Sequence, residues 1–500
     1  MTTELPYEIW LHIFRFLHPK TIKQLRFVNT LLYDLSLDEY HRITQIGYPS
    51  PLNDHAPLRD RGNARRVRVL IIRRGPIYLP KDESSRPRRP RPTSWKSIKA
   101  KLSQVRLLVV RHEPETTLDK LLQAVPGLTT LTTLDIYLPY SLDDHSFYWT
   151  KLEVIKAGWP IFSVNLTTLS IDMPLEEIHL VLLSHVTLLR LENFSIILYI
   201  FFPTSEPNGF LQNTLLPFLS HHSPTLRSLK LKAWEKVDIS STLTGLQRMP
   251  CLNSLYISHP FLTLESTSFV GHRKFLETHQ SQLQHLTVEF LAPPPSFYIA
   301  EEFFNQEWCR VLLPELQSLS FRLLCFMESC DDAAIPYFQR HILTVKFLRI
   351  YPMIFSYDQV ASILTGPKPG GDQLTALRVL DIQIWCFSPD FLRLLAEQTP
   401  RLRSLKLMVS AIGPDKHSEL RNRVPEFCDA LQSYYFPEWG LYELQIGHLH
   451  GSLLPPSLRN QCKVALFRAL PKLKEFCGLG PGESWLEEQE TETVLTPVLT

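Results

Sequence analysis

One short pattern, L-x-x-L-x-[LIVF], recurs along this chain from residue 131 almost to its end. The three-residue step followed by a two-residue step fits a turn that leads into a short strand with alternate side chains on one face. Helix-like segments such as PDFLRLLAEQTP and QCKVALFRALPKL separate the copies. The pattern therefore predicts stacked units of strand, loop and helix that share a parallel sheet. Clear copies begin at Leu131, Leu166, Val186, Leu226, Leu252, Leu283, Leu316, Val345, Leu377, Leu402 and Leu441.

The spacing of the copies, about 14 to 40 residues with a centre near 28, is typical of leucine-rich repeats. In five copies a proline two residues before the first leucine ends the preceding helix, namely Pro224, Pro250, Pro314, Pro400 and Pro471. This body resembles the leucine-rich repeats that follow an F-box in many fungal and animal proteins. The resemblance implies an α/β solenoid, a horseshoe with a parallel sheet on its concave face. The usual Asn or Cys after the strand is missing, so we expect irregular curvature. An ordinary α/β domain stays open as the alternative.

The first 45 residues predict three short amphipathic helices. Pro6 suits a first helical turn, and the apolar face that follows consists of Ile9, Ile13, Phe16 and Leu17. Thr21 with Gln24 has the form of a capping box, and the second apolar face consists of Ile22, Leu25, Val28, Leu32 and Leu35. Ser36 with Glu39 predicts another cap, before a third helix.

Four more large apolar residues lie off these faces, namely Leu5, Trp10, Phe14 and Phe27. A segment this small cannot bury all of them internally. They form a partner site or pack against the following domain, and the residues alone leave both interpretations open.

The string Leu5-Pro6-x-Glu8-Ile9-x-x-x-Ile13-Phe14-x-Phe16-Leu17, followed by Leu25-x-x-Val28, resembles the F-box motif. In that family the three-helix element binds a Skp-type adaptor and, through it, a cullin ubiquitin ligase. The resemblance implies an F-box domain at residues 1–46, with adaptor contacts at Leu5, Pro6, Ile9, Ile13, Phe14, Leu17, Leu25, Val28 and Leu32. After Val28 the chain departs from the family, which has Cys or Ser and then often Trp where this chain has Asn29, Leu32 and Tyr33.

Charge is distributed unevenly although the net charge is only +2. Between Arg59 and Lys101 there are fifteen Lys or Arg residues against three acidic ones, which predicts a basic, Pro/Arg-rich linker at residues 47–103. Within it, RRVRVLIIRR can form a first, capping repeat. The linker fits a solvated loop best, then a nuclear-import signal, and least a nucleic-acid contact, because it lacks interleaved aromatics. The repeats are assigned to residues 104–480 and an acidic tail to residues 481–500.

The sequence offers no motif for catalysis, cofactor binding or metal binding. Its eight cysteines are scattered without a CxxC pair, so we expect buried free thiols and no metal site. The longest apolar run, Phe194 to Phe202, is about half the length of a membrane span. Because the first residues also lack a signal-peptide pattern, we expect no membrane association and a cytoplasmic or nuclear location, or both.

These observations favour a non-enzymatic substrate adaptor whose F-box binds the Skp-type adaptor and whose repeats bind a target protein. The alternatives are a nuclear leucine-rich-repeat scaffold that acts without a ligase and binds chromatin through the basic linker, and an enzyme on an α/β fold. Residues between the strand leucines are predicted to face the concave surface. As target contacts we expect Arg349, Tyr351, Asp381, Gln383 and Lys406, although such polar residues can also be merely solvated.

Overall fold

The computed structural model describes residues 6–25, 27–46, 61–73, 122–138, 145–183, 186–200, 207–234, 237–260, 269–291, 300–323, 332–366, 375–416, 422–448 and 455–483. The chain divides into two compact units, Met1–Cys251 and Leu252–Thr500. Leu5 and most of the basic linker and acidic tail lie outside the described residues. The limits 47–103, 104–480 and 481–500 and the horseshoe curvature stay predictions.

The N-terminal segment contains the three expected helices, α1 Tyr7–Phe14, α2 Pro19–Leu25 and α3 Thr30–His41. Their predicted limits are wrong in two places. Helix α2 begins at Pro19, so Thr21 does not cap it. Helix α3 begins after Asn29, whose side-chain oxygen accepts a hydrogen bond from the Leu32 N–H at 2.8 Å. Ser36 lies inside α3, where its hydroxyl donates to the Tyr33 carbonyl at 2.7 Å.

In the first unit every described strand runs parallel to its neighbours, and the strands follow one another in chain order. They are β1 Ile43–Ile46, β2 Val69–Arg73, β3 Thr133–Tyr137, β4 Thr168–Pro174, β5 Asn193–Tyr199 and β6 Ser228–Ala233. The helical segments between them are α4 Arg61–Ala64, α5 His145–Phe162, α6 Pro207–Phe210, α7 Leu216–His222 and α8 Ser240–Gly245, with 3₁₀ turns at Val125–Gly127 and Leu175–Leu180 and a π segment at Leu211–Leu215. The sheet thus begins at Ile43, inside the segment assigned to the F-box, and RRVRVLIIRR supplies its second strand.

The second unit repeats the same order of parallel strands. These are β7 Ser254–Pro260, β8 His285–Leu291, β9 Ser318–Leu323, β10 Phe347–Phe355, β11 Val379–Phe387, β12 Ser404–Ile412, β13 Glu443–His448 and β14 Glu475–Phe476. The helices between them are α9 Val270–His279, α10 Ala300–Phe304, α11 Ile335–His341, α12 Tyr357–Thr365, α13 Pro389–Gln398, α14 Val424–Leu431 and α15 Pro456–Ala469, with 3₁₀ turns at Glu307–Arg310 and Asp332–Ala334.

The leucine pattern predicts these strands correctly. In the first unit the copy that begins at Val186 is wrong, because it ends before β5 and its Leu189 is 69% exposed. We expect Val288, Phe321, Ile350, Ile382 and Leu407 on consecutive parallel strands with their side chains in the core. They lie on β8 to β12, and all are buried. In the copy that begins at Leu402, the two later leucines, Leu405 and Leu407, are buried as well, as expected for side chains that share one face of a strand.

Main-chain hydrogen bonds join successive repeats where the strands begin. The N–H groups of Gln317 and Ser318 both donate to the Gln284 carbonyl, at 2.8 and 3.0 Å. One repeat later, the N–H groups of Lys346 and Phe347 both donate to the Gln317 carbonyl, at 2.7 and 3.0 Å. The backbone N–H groups at the start of β9 and β10 are therefore paired with the preceding repeat.

Candidate functional site

The three N-terminal helices enclose a small core. Phe14, Ile22 and Leu35 are buried in it, and the partly buried side chains that pack against them are Trp10, Leu11, Leu17, Leu25 and Leu32. The predicted faces of α1 are therefore wrong. Trp10 and Phe14, four residues apart on one side of the helix, pack inward. Ile9 and Ile13 are exposed instead.

Other apolar side chains of these helices, and of the turns between them, are in contact with solvent. Phe16 is 78% exposed and Phe27 is 79% exposed. We call the patch the F-box apolar surface and define it by its exposed members Ile9, Ile13, Phe16, Phe27, Val28 and Leu31. Large exposed apolar side chains concentrated on so small a module are typical of a protein-binding site.

The predicted adaptor contacts divide into three groups. Pro6, Ile9, Ile13 and Val28 are exposed, as a contact requires. Leu17, Leu25 and Leu32 are partly buried at the edge of the helical core. Phe14 is 1% exposed, so it holds the helices together and offers no surface to a partner, which corrects its assignment.

Sequence reasoning misses Phe16 and Leu31 as partner contacts, because it places Phe16 on the packing face of α1 and does not single out Leu31. It names Phe27 as a candidate for a partner site but does not include it among the adaptor contacts. The spacing of Trp10, Phe14 and Leu17 at i, i+4 and i+7 was the available signal, because a core on that stripe leaves Phe16 outside.

The F-box helices are joined to the first strands by polar contacts as well as by the chain. The Arg66 guanidinium donates to the Asp34 carbonyl oxygen at 3.0 Å and pairs with the Asp34 carboxylate at 3.3 Å. It also pairs with the Asp38 carboxylate. Directly after α3, strand β1 pairs with β2. The F-box apolar surface is thus fixed to the start of the sheet.

A second candidate surface runs across the strands of the second unit. Its side chains come from strand positions that alternate with the buried leucines, and successive members lie on β7 to β13. We call it the polar row, consisting of Tyr256, Glu289, Arg322, Arg349, Tyr351, Asp381, Lys406 and Glu443.

Two groups of the polar row have the same composition. The Asp381 carboxylate accepts a hydrogen bond from Arg349 Nε at 2.9 Å and another from the Tyr351 hydroxyl. The Glu289 carboxylate accepts from the Tyr256 hydroxyl. Its other oxygen pairs with Arg322 Nη1 at 3.6 Å. Each group therefore holds one carboxylate between a phenol and a guanidinium.

Acid and base differ sharply in their exposure to solvent. The side chains of Glu289 and Asp381 are each 5% exposed, while those of Arg322 and Arg349 are 58% and 59% exposed. Burial raises the pKa of Tyr351 well above its usual value, and the neighbouring Asp381 carboxylate raises it further. The phenol therefore stays protonated and keeps donating to the carboxylate.

The structure brings together most of the residues predicted to contact a target. Arg349 and Tyr351 meet at Asp381, and Lys406 is the register partner of Asp381 on the next strand. Asp381 and Gln383 are buried, however, so neither offers contact area and both assignments are corrected. Asp381 positions its two partners instead.

The target contacts expected from the sequence do not include the first group of the row. Glu289 and Arg322 are register partners on β8 and β9, and Tyr256 lies on β7 as the register partner of Thr287. The signal was present in the sequence, because Glu289 and Arg322 each directly follow the last strand residue of their copies of the leucine pattern.

The described cysteines and possible metal ligands were compared with what a reactive or metal-binding site requires. Cys309, Cys428 and Cys462 are buried free thiols, as expected, whereas Cys251 is exposed. The thiols of Cys428 and Cys462 are hydrogen-bonded to each other. In the described part of the chain, no cluster of three or more His, Cys, Asp or Glu residues is arranged to hold a metal ion. No helix in the same ranges has both the length and the apolar character needed to cross a membrane.

Comparison with known proteins identifies the N-terminal segment. Residues 2–46 match the F-box-like family model. No curated protein matches the chain. Among solved structures, the crystal structure of the Rad7 and Elc1 complex in yeast is similar at a TM-score of 0.32 and 17% identity, over 61% of this chain and 74% of that chain. At this TM-score the likeness does not establish a shared fold.

Proposed function

We propose that this chain is the substrate-recognition subunit of a Skp–cullin–F-box type ubiquitin ligase. The main support for this proposal is the F-box apolar surface, which lies on a segment that matches the F-box-like family. Ile9 and Ile13 on α1, and Phe16 two residues after its end, are exposed and do not pack into the helical core. A Skp-type adaptor that covers them removes apolar area from water and connects the chain to a cullin.

The repeats hold the target protein in this proposal. Two features support that role: the strand–helix units have the spacing of leucine-rich repeats, and the polar row presents Arg322, Arg349 and Lys406 on a rigid sheet. Arginine and tyrosine on a fixed frame are typical of residues that dominate binding energy.

The chain itself contributes no catalytic group. It binds adaptor and target at the same time, so that ubiquitin transfer to the target takes place within one complex. Holding the two reactants together raises their effective concentration and replaces a slow bimolecular encounter.

Proximity labelling in cells with two variants tests this division of labour. The first replaces Arg349, Tyr351, Asp381 and Lys406 together by alanine, which removes the buried carboxylate along with its partners and leaves no unpaired charge at Asp381. We expect it to lose target proteins and to keep the adaptor. The second, Ile13→Asp, is expected to lose the adaptor and the cullin while the targets remain labelled.

Two results would count against the proposal. Unchanged labelling in the quadruple variant would place the target site elsewhere on the chain. Labelling of targets but never of an adaptor by the wild-type protein would indicate a scaffold that acts without a ligase.

A further inference from the structure

We infer that the polar row of the second unit binds an extended acidic segment, one whose carboxylates meet Arg322, Arg349 and Lys406. The inference rests on the proposed function, because it names the chemistry of the target that the repeats hold. It follows from which charges of the row face solvent, which hydrogen-bonding groups are already used, and how the cations are spaced.

At Arg322 and Arg349 the charge that a partner meets is positive. Arg322 and Arg349 are more than half exposed, and the carboxylates that pair with them are almost completely buried. An approaching segment therefore contacts guanidinium groups first and is separated from Glu289 and Asp381 by the side chains above them. Its own carboxylates gain attraction without close repulsion.

Asp381 and Glu443 each accept a hydrogen bond at both carboxylate oxygens. Asp381 accepts from Arg349 through one oxygen and from Tyr351 through the other. Glu443 accepts from the Ser404 hydroxyl at 2.8 Å and from the Gln445 amide at 2.5 Å. A basic partner would have to displace these donors before it could bind.

The cations of the row have N–H groups that are not used in hydrogen bonds to the row's carboxylates. Arg349 uses Nε on Asp381, and neither of its Nη atoms has a partner among the described residues. At 3.6 Å from Glu289, Arg322 Nη1 forms an ion pair without a hydrogen bond, and Lys406 Nζ is 3.9 Å from Glu443. Because Asp381 holds the Arg349 guanidinium by a hydrogen bond, little side-chain entropy is lost when Arg349 binds an anion.

The spacing of the cations fits an extended chain that crosses the strands. Arg322 and Arg349 lie on neighbouring strands, and Lys406 lies two strands beyond Arg349. With strands about 4.8 Å apart, the three cations span roughly 15 Å, which four or five extended residues cover. A segment with two or three acidic side chains in that length can reach all three.

Fluorescence anisotropy with a labelled octaglutamate peptide tests the inference on the full-length chain, with octaglutamine as the neutral probe of equal length. The test variant combines Arg322→Gln and Arg349→Gln, which removes both charges while keeping donors for the buried carboxylates. The control combines Arg310→Ala and Arg401→Ala, two exposed arginines outside the row. Thermal unfolding and adaptor binding are measured for each protein.

We expect octaglutamate to bind at least about tenfold more tightly than octaglutamine, and we expect high salt to weaken it. The Arg322→Gln/Arg349→Gln variant should lose about tenfold or more for each arginine, while the control keeps wild-type affinity. Equal binding of the two probes, or equal losses in the variant and the control, would overturn the inference. Adaptor binding is unaffected by that failure, so the proposed function is judged separately.

One further experiment tests whether the polar row binds a partner segment or the acidic tail of this chain. The tail of this chain is itself acidic, with Glu487, Glu488, Glu490 and Glu492. If the wild type does not bind octaglutamate and a chain that ends at Glu483 does, the row is occupied by its own tail. That result would overturn the choice of a partner segment.

Discussion

The imidazole of His222 fixes the backbone of Leu188. Its Nε2 accepts a hydrogen bond from the Leu188 N–H at 2.9 Å, and its Nδ1 donates to the Phe218 carbonyl at 2.8 Å. A neutral ring can do both, whereas a protonated ring has no acceptor. Burial is the main reason that the pKa of His222 is lowered.

His341 occupies the same place in a later repeat, four residues before the first apolar residue of the leucine pattern. Its ring is also buried, but neither nitrogen has a hydrogen-bond partner among the described residues. Burial, with a smaller contribution from the Arg340 charge, lowers the pKa of His341 to about 4. We therefore expect different changes in stability when each of the two histidines is replaced.

Replacing His341 by leucine should leave stability at pH 7.5 unchanged or increase it, because no hydrogen bond is lost. In the wild type the folded pKa lies below the ordinary value of 6.5, so the unfolded chain binds the proton first. The stability from neutral His341 is fully present above pH 6.5 and is lost as the pH falls, by about 3 kcal/mol once the pH is below 4. Urea unfolding at several pH values should show a shallower slope in His341→Leu.

Other groups titrate in the same range. Burial raises the pKa of Glu177 to about 7 and that of Asp172 to about 6, which acts in the opposite direction. The difference between wild type and variant at each pH cancels their contributions. A constant difference from pH 7.5 to pH 4 would contradict the assignment of a buried, neutral His341.

Replacing His222 by leucine should instead destabilise the protein by about 1–3 kcal/mol at pH 7.5. The Leu188 N–H and the Phe218 carbonyl would both lose their partner in a buried site. The same urea experiment measures this loss, with His341→Leu as the matched control. Equal stability of the two variants at pH 7.5 would show that the His222 hydrogen bonds contribute nothing measurable.

The strands were predictable because their signal is periodic and local. Leu402, Leu405 and Leu407 fill the core at intervals that only a turn and a strand allow. The faces of α1 were not predictable in the same way, since both sides of that helix are apolar and only tertiary packing selects Phe14 over Ile13. Burial of Asp381 likewise depends on a neighbouring strand that the local pattern does not contain.

The start of α3 gives a prediction that separates two capping interpretations. Asn29→Ala should lower the free energy of unfolding of the F-box helices by about 1 kcal/mol, because the Leu32 N–H loses its acceptor. Ser36→Ala should have a much smaller effect, since Ser36 lies within the helix. Hydrogen exchange of the amides at the start of α3 measures both. Faster exchange there in Ser36→Ala than in Asn29→Ala would indicate that Ser36, and not Asn29, caps the helix.

The buried carboxylate of Asp381 gives another prediction. Asp381→Ala should destabilise the second unit by about 2 kcal/mol, because Tyr351 and Arg349 lose their acceptor. Asp381→Asn keeps the size of the side chain and one acceptor oxygen, so its loss should be smaller. Urea unfolding compares the two variants. If Asp381→Ala is as stable as wild type, the carboxylate does not position these partners.

The central claim is that the F-box apolar surface binds a Skp-type adaptor. Isothermal titration of purified adaptor into the full-length chain tests it most directly, with Ile13→Asp as the test variant and Val164→Asp as the control, since Val164 is an exposed apolar residue of the same unit outside this surface. We expect saturable one-to-one binding for wild type and Val164→Asp. Ile13→Asp should lose at least about tenfold in affinity, because burying an unpaired charge at an apolar interface is costly. Undiminished binding by Ile13→Asp, or no binding by the wild type, would contradict the account.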